Sequence, residues 1–256
     1  YPQFREFERF TTTAMNAFIG PKVVDYIGRF KQELREFGFE ADVHIMQSNG
    51  GIATEAMIKQ RAVSLLLSGP AAGALGGKWR AEANTPETEK TNVITFDMGG
   101  TSADIGTISD SEIDEANVRE TAIGGYPVMT PMIDIETIGA GGGSIAYVDA
   151  GDAFRVGPKS AGAAPGPIAY GRGGTEPTVT DAHVALGRIH PEFFLGGEMD
   201  LDTESPHRFI EENLAEPLGI GPMETALGAL ELVNNNMANA IRSKTIQKGR
   251  DPEKYS

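Results

Sequence analysis

The sequence predicts an α/β fold, an open sheet with helices packed beside it, and three features carry that expectation. An apolar run, Asn92 to Phe96, enters Asp97, turns at Gly99-Gly100 and returns through Ser102 to Ile108, which reads as two strands joined by a sharp corner. Segments with apolar residues at three- and four-residue steps flank this hairpin on both sides. Polar and glycine-rich residues fall at predicted strand ends and helix starts, where an open α/β sheet gathers a ligand site.

Taken in order, the stretch from Phe7 to Phe37 has a helical period carried by Phe18, Val23, Tyr26, Ile27, Phe30, Leu34 and Phe37. Gly20-Pro21 predicts two helices there rather than one. Gly38 reads as a stop, Asp42 to Met46 as a short strand, Ser48-Asn49-Gly50-Gly51 as a tight turn and Ala53 to Lys59 as helix. Ala62 to Leu67 is a buried-strand candidate. Ser68-Gly69-Pro70 opens a small-residue helix from Ala71 to about Ala83. Its free N–H groups suit an anion, while its alanines and glycines equally suit close packing alone. The polar stretch Asn84 to Thr91 divides the chain into a helical and connecting part, 1–84, and a lobe, 85–256.

Within that lobe, Met132 to Ile138 alternates until Asp134 and Glu136 break the pattern. Gly139 to Gly174 holds 11 glycines in 36 residues, far above the usual share of about 7%. Ile145 to Val148, a turn at Asp149-Ala150-Gly151-Asp152 and Phe154 to Val156 read as short strands inside it, so the stretch is expected to form a glycine-rich ligand wall. Thr178-Val179-Thr180-Asp181 leads into a helix from about Ala182 to Leu186, with Thr180 or Asp181 as cap and Gly187 as stop. Helices follow over Thr203 to Leu214 and Met223 to about Lys248, the latter striped by Leu227, Leu230, Val233, Met237, Ile241 and Ile246.

Composition excludes several classes of partner. The 256 residues carry a net charge of -14 from 36 acidic and 22 basic residues, which repels nucleic acid and anionic membrane surfaces. Cysteine is absent, so there is no disulfide, thiolate ligand or cysteine nucleophile, in keeping with a cytoplasmic setting. The chain has no apolar run long enough to span a bilayer and starts without methionine inside a helical pattern, which reads as a piece of something longer.

The hairpin corner is the candidate for chemistry. N–H groups freed at Gly99, Gly100 and Thr101 suit phosphate oxygens, the Thr101 hydroxyl adds a donor, and Asp97 and Asp104 can hold a cation. An acidic body that binds a nucleotide needs such a cation. No Walker-type loop is present, and Gly141 to Ala146 meets the dinucleotide spacing without a helix to receive a pyrophosphate. Among His44, His183, His190 and His207, only His183 sits with a carboxylate, Asp181, near the glycine-rich wall. A metal pair and a capped helix with an exposed imidazole are both open there. Ser144 lacks a nucleophile elbow and a histidine partner.

MQSNGG (Met46 to Gly51), LSGPAAG (Leu67 to Gly73), FDMGGTSAD (Phe96 to Asp104), IGAGGGSIAYVDAG (Ile138 to Gly151), VGPKSAGAAPGPIAYGRGGTEPTVTDA (Val156 to Ala182) and DPEKYS occur in an order and spacing that resemble the hydantoinase A / 5-oxoprolinase family. The resemblance covers nearly the whole chain. It implies an actin-like ATPase fold of ribonuclease-H-like lobes closing on Mg-ATP, here one incomplete lobe with flanking helices. FDMGGTSAD would be the second phosphate loop, giving Asp97, Gly99, Gly100 and Thr101 to the β- and γ-phosphates and Mg²⁺. Gly141, Gly142, Gly143 and Ser144 would line the cleft, and Ser68 and Gly69 would add cofactor contacts. The family's first phosphate loop would precede Tyr1, and its adenosine motif would follow Ser256. Ala164 and Glu136 stand where many relatives carry aspartate and histidine.

The resemblance implies ATP-dependent opening of a cyclic amide, with a hydantoinase B-like subunit or domain and an N-terminal lobe as partners. A beta-type subunit of an acetone or acetophenone carboxylase and a non-catalytic lobe are the alternatives.

Overall fold

The computed structural model describes residues 3–86, 88–117 and 121–256. Glu87, in the polar stretch 84–91, lies outside the described residues. The chain divides into two compact units, one of Tyr1–Thr95, Gly106–Ile135 and Glu253–Ser256, the other of Phe96–Ile105 and Glu136–Pro252.

In the first unit a single helix, α1 (Glu6–Glu36), runs straight through Pro21, where the sequence predicts a break. Proline removes one backbone hydrogen bond, but packing holds both halves. Met15 and Ile19 lie against Val63, Val128 and Met132, whereas Val23 and Ile27 lie against Ala53 and Ile58. Strands β1 (His44–Met46) and β2 (Ile52–Thr54) pair antiparallel around the predicted turn. Helix α2 (Glu55–Gln60) follows directly.

Ala62–Leu65 is a 3-10 turn, not the expected strand. Its apolar side chains are buried, yet its polar groups are satisfied locally: Val63 N–H donates to Asn16 Oδ1, and the Ser64 carbonyl accepts from both the N–H and the hydroxyl of Ser48. That leaves no edge for a sheet.

Glu55 takes Lys31 Nζ at 2.5 Å and Lys59 Nζ at 2.8 Å. Hydrogen bonds and charge from Lys31 and Lys59 pull its carboxyl down to about 2. A depressed carboxyl contributes stability that is complete above its unfolded pKa and is lost as pH falls through the folded one. The α1–α2 clamp is therefore expected to weaken between pH ~4.5 and ~2. A carboxyl NMR titration of Glu55 with a midpoint above 4 would contradict this.

Helix α3 (Ser68–Glu82) starts at Ser68, earlier than Ala71, because Leu67 turns the chain at φ 58. Its small residues serve close packing. A Cβ on Gly77 would stand 2.4 Å from Thr95 Cγ2, and one on Gly106 would stand 3.3 Å from Ala74 Cβ. Strands β3 (Val93–Met98), β4 (Ala103–Ser109) and β5 (Glu112–Ile113) form consecutive members of one sheet. β6 (Ala122–Ile123) and β7 (Tyr126–Pro127) make a small antiparallel pair.

In the second unit, β8 (Ile135–Ile138) pairs with β4, and β9 (Ser144–Val148) pairs antiparallel with β10 (Phe154–Ser160). The glycine-rich wall is thus largely a hairpin with its following loop. Helix α4 (Val179–Ala185) starts from Thr178, upstream of both expected caps. Thr178 Oγ1 accepts the Asp181 N–H while Asp181 accepts the Thr178 N–H, a reciprocal capping box.

α5 (Glu204–Ile210) passes through a π turn, Glu211–Ala215, into α6 (Glu216–Leu218). α7 (Pro222–Lys244) closes the unit. Ala226, Ala229, Leu230 and Val233 of α7 bury against Val179, Ala182, Ala185 and Leu214. Leu227 and Ile246, both expected in the stripe, are exposed. Leu230, Val233 and Met237 of the expected stripe do face this core, and Ile246 lies beyond the end of α7 in a 3-10 turn. No helix among the described residues is long and apolar enough to cross a membrane.

Candidate functional site

β3 carries Phe96, Asp97 and Met98 out to an exposed end, so Asp97 lies within the strand rather than beyond it. The turn closes when Gly99 N–H donates to the Ser102 carbonyl at 2.9 Å. That uses the Gly99 donor. The N–H groups of Gly100 and Thr101 have no partner among the described residues. Gly100 and Thr101 are exposed, and a Cβ placed on Gly100 meets nothing within 4 Å. Asp97 is likewise exposed, and its carboxylate makes no ion pair or hydrogen bond among the described residues. The corner therefore presents a carboxylate, two backbone donors and a hydroxyl to open space.

The second glycine run lies behind the turn rather than in front of it. Gly142 N–H donates to the Gly99 carbonyl at 3.1 Å and Gly143 N–H to the Gly100 carbonyl at 2.6 Å. Gly141 N–H donates to Ser144 Oγ at 2.8 Å, and Ser144 is buried. All these donors, expected to line the cleft, are thus spent on structure. A Cβ on Gly141 would sit 2.6 Å from Thr101 N and 2.7 Å from Gly100 C, so backbone stacks directly on backbone. The Gly142 carbonyl in turn accepts from Thr180 N–H and Oγ1 at 2.7 and 2.8 Å. With its carbonyls held inward, the turn is a preorganised donor array.

Two side chains beside the corner carry no sequence signal of their own. Ser160 Oγ lies 3.4 Å from Thr101 Oγ1 and accepts Gly162 N–H. Thr137 Oγ1 donates to Asp104 Oδ1 at 2.5 Å, so Asp104 belongs to the same face of the hairpin base as β8. A hydroxyl within a strand looks like any other in a sequence, so only pairing reveals either contact.

Asp181 is fully buried and accepts from Ile168 N–H, Ala169 N–H, Thr178 N–H and Thr178 Oγ1 at 2.7 to 3.2 Å. Burial pushes its carboxyl above the usual range, while the donors from Thr178, Ala169 and Ile168 oppose that. Of the two readings open in the sequence, the geometry favours the cap over the metal. His183 has its imidazole pKa lowered by burial and by Arg188. No three acidic or histidine side chains come together as a metal cluster among the described residues. Ser68 and Gly69 lie in the other unit, in the first turn of α3.

The hydantoinase/oxoprolinase family model matches residues 9–256. The caprolactamase subunit alpha of Pseudomonas jessenii is 41% identical over 256 residues, covering 100% of this chain and 36% of that protein. The solved ATP-dependent caprolactamase of that organism matches with a TM-score of 0.76 at 40% identity, over 100% of this chain and 36% of its own. A nucleotide-free structure of acetone carboxylase matches with a TM-score of 0.88 at 27% identity, over 100% of this chain and 35% of its own.

This chain therefore spans about a third of the length of these relatives. Both solved neighbours have the actin-like ATPase fold, which fixes the α/β class of this chain as the sequence implies. A match running from residue 9 to the last residue, together with that shared fold, places the chain in the hydantoinase/oxoprolinase family.

Proposed function

We propose that this chain supplies the phosphate-gripping corner of an ATP-dependent hydrolase that opens cyclic amides of the hydantoin or 5-oxoproline type. The supporting observation is the open turn at Gly100-Thr101 with unpaired N–H groups beside an unpartnered Asp97. Such residues fit Mg-ATP, since magnesium takes one or two carboxylates together with phosphate oxygens and waters rather than an all-protein cage.

An amide carbonyl is a poor electrophile, and ATP, when bound, supplies a phosphoryl group that makes the amide oxygen a good leaving group. This chain's residues position and neutralise. Gly100 N–H, Thr101 N–H and the Thr101 hydroxyl would hold phosphate oxygens, Asp97 would hold the cation, and Asp104, deeper in the hairpin, would help to hold that cation. Gly141, Gly142, Gly143 and Ser144 would keep the turn from relaxing when charge shifts. A hydantoinase B-like subunit or domain would act on the activated amide, in the cytoplasm.

The test is calorimetric titration of the chain with Mg-ATP. Asp97→Asn is expected to weaken binding about tenfold or more, the loss of one charge-assisted contact. Because Asp97 is exposed and unpartnered, the melting temperature should stay unchanged. Equal affinity for both proteins would overturn the reading. The high likeness to acetone carboxylase favours a second reading, a carboxylase subunit. ATP turnover stimulated by ketone plus bicarbonate, and not by lactam, would select it.

A further inference from the structure

Apart from the corner, the second unit contains an open cavity of about 510 Å³, within the usual range for small-ligand sites. Its apolar side is made by Ile138, Val156, Pro158 and Leu232, with the rings of Tyr147 and Phe154 beside them. Its polar groups are Arg155, whose guanidinium pairs with Asp149 at 2.9 Å, and, on α7, Asn236 and Asn239, which follow Leu232 at helical spacing on one face.

The hydrogen bonds of these two amides fix which atom each has left. A carbonyl oxygen only accepts, so the bond between Asn236 and the Val156 carbonyl, 3.3 Å, consumes the Asn236 NH₂ side and leaves Oδ1. A guanidinium only donates, so the 2.7 Å bond from Arg242 Nη1 consumes Asn239 Oδ1 and leaves its NH₂. One free acceptor and one free donor, a single helical turn apart, thus share the cavity with its apolar side. The same face continues to Ser243, whose hydroxyl donates to Glu136 Oε2 at 2.5 Å.

A ring amide is locked cis, so its N–H and C=O lie side by side on one edge. That edge is the complement of the Asn pair, N–H to Asn236 Oδ1 and C=O to Asn239 NH₂, while the ring methylenes would meet Leu232, Val156 and Ile138. We infer that this cavity binds the cis-amide edge of a small saturated ring through Asn236 and Asn239. The inference rests on the cyclic-amide reading above and gives that reading a substrate-holding site distinct from the phosphate corner. Uracil-type bases carry the same edge, so the test separates the two sources.

The experiment follows side-chain and backbone amide resonances of the 256-residue chain during titration with 2-piperidone, N-methyl-2-piperidone and uridine. 2-Piperidone is expected to shift the Asn236 and Asn239 NH₂ signals, and its N-methyl form, lacking the donor, to bind about tenfold more weakly. Asn239→Asp, which exchanges the donor for an acceptor, and Asn236→Ala, which removes the acceptor, should each lower 2-piperidone affinity by about tenfold. Both positions are exposed on α7, and unchanged melting temperatures would show that the variants fold.

Equal binding of the N-methyl form, unchanged 2-piperidone affinity in either variant, or tighter binding of uridine than of 2-piperidone would each overturn the inference. Mg-ATP added to the same sample reads Gly100 and Thr101 separately. A silent cavity with a responsive corner therefore rejects this site alone, and the converse rejects the nucleotide reading alone.

Discussion

Replacing Asp181 with alanine is expected to lower folding stability by about 3–5 kcal/mol, the cost of stripping buried donors of a charged acceptor. Ile168, Ala169 and Thr178 all direct backbone N–H hydrogen bonds to this fully buried carboxylate, and among the described residues none of these N–H groups has a second acceptor. The loss would spread beyond α4, because the same carboxylate ties the 3-10 turn Ile168–Tyr170 to the helix start. Asparagine should cost less than alanine, since one oxygen remains, although its NH₂ would face donors. Urea denaturation measures this, and a change below about 1 kcal/mol would contradict a structural role for Asp181.

Alanine at Gly141 and alanine at Gly100 are expected to act in opposite ways although both positions belong to the same stacked turns. At Gly141 the new methyl would stand 2.6 to 2.7 Å from the Gly100 and Thr101 backbone, which has no soft side chain to move aside. Overpacking of this kind costs about 1–3 kcal/mol and would tilt the turn it leans on. At Gly100 the methyl meets open space. Folding should therefore be little changed, while close approach of a phosphate is blocked and Mg-ATP affinity falls by about tenfold or more. Thermal melts and calorimetry on the two variants check both halves. A destabilised Gly100→Ala with intact binding would reverse the assignment of front and back.

The sequence carried the corner itself, because a carboxylate, a glycine pair and a threonine on a strand end specify their own geometry at short range. The two strands on either side of it were legible for the same reason, whereas α3 and α4 start earlier than their cap signals suggest. What was not legible depended on partners far along the chain. Pro21 stays helical only because Val63 and Ala53 belong to clusters that hold α1 on both sides. Ala62–Leu65 looks like a strand until Asn16 and Ser48 take its polar groups.

The Gly141–Ser144 run shows the limit most clearly. Glycine permits a phosphate or another backbone to come close, and the sequence does not say which. The structure gives the backbone of Gly100 and Thr101. Asp181 was readable as an acid at a helix start, but its burial depends on a loop more than ten residues upstream.

The most direct test of the account follows the backbone amide resonances of Gly100 and Thr101 as Mg-ATP is added. These two are expected to shift strongly and saturate together, while Gly142 and Gly143, whose N–H groups already donate to the Gly99 and Gly100 carbonyls, move far less. Shifts concentrated on Gly142 and Gly143, with Gly100 and Thr101 silent, would contradict it.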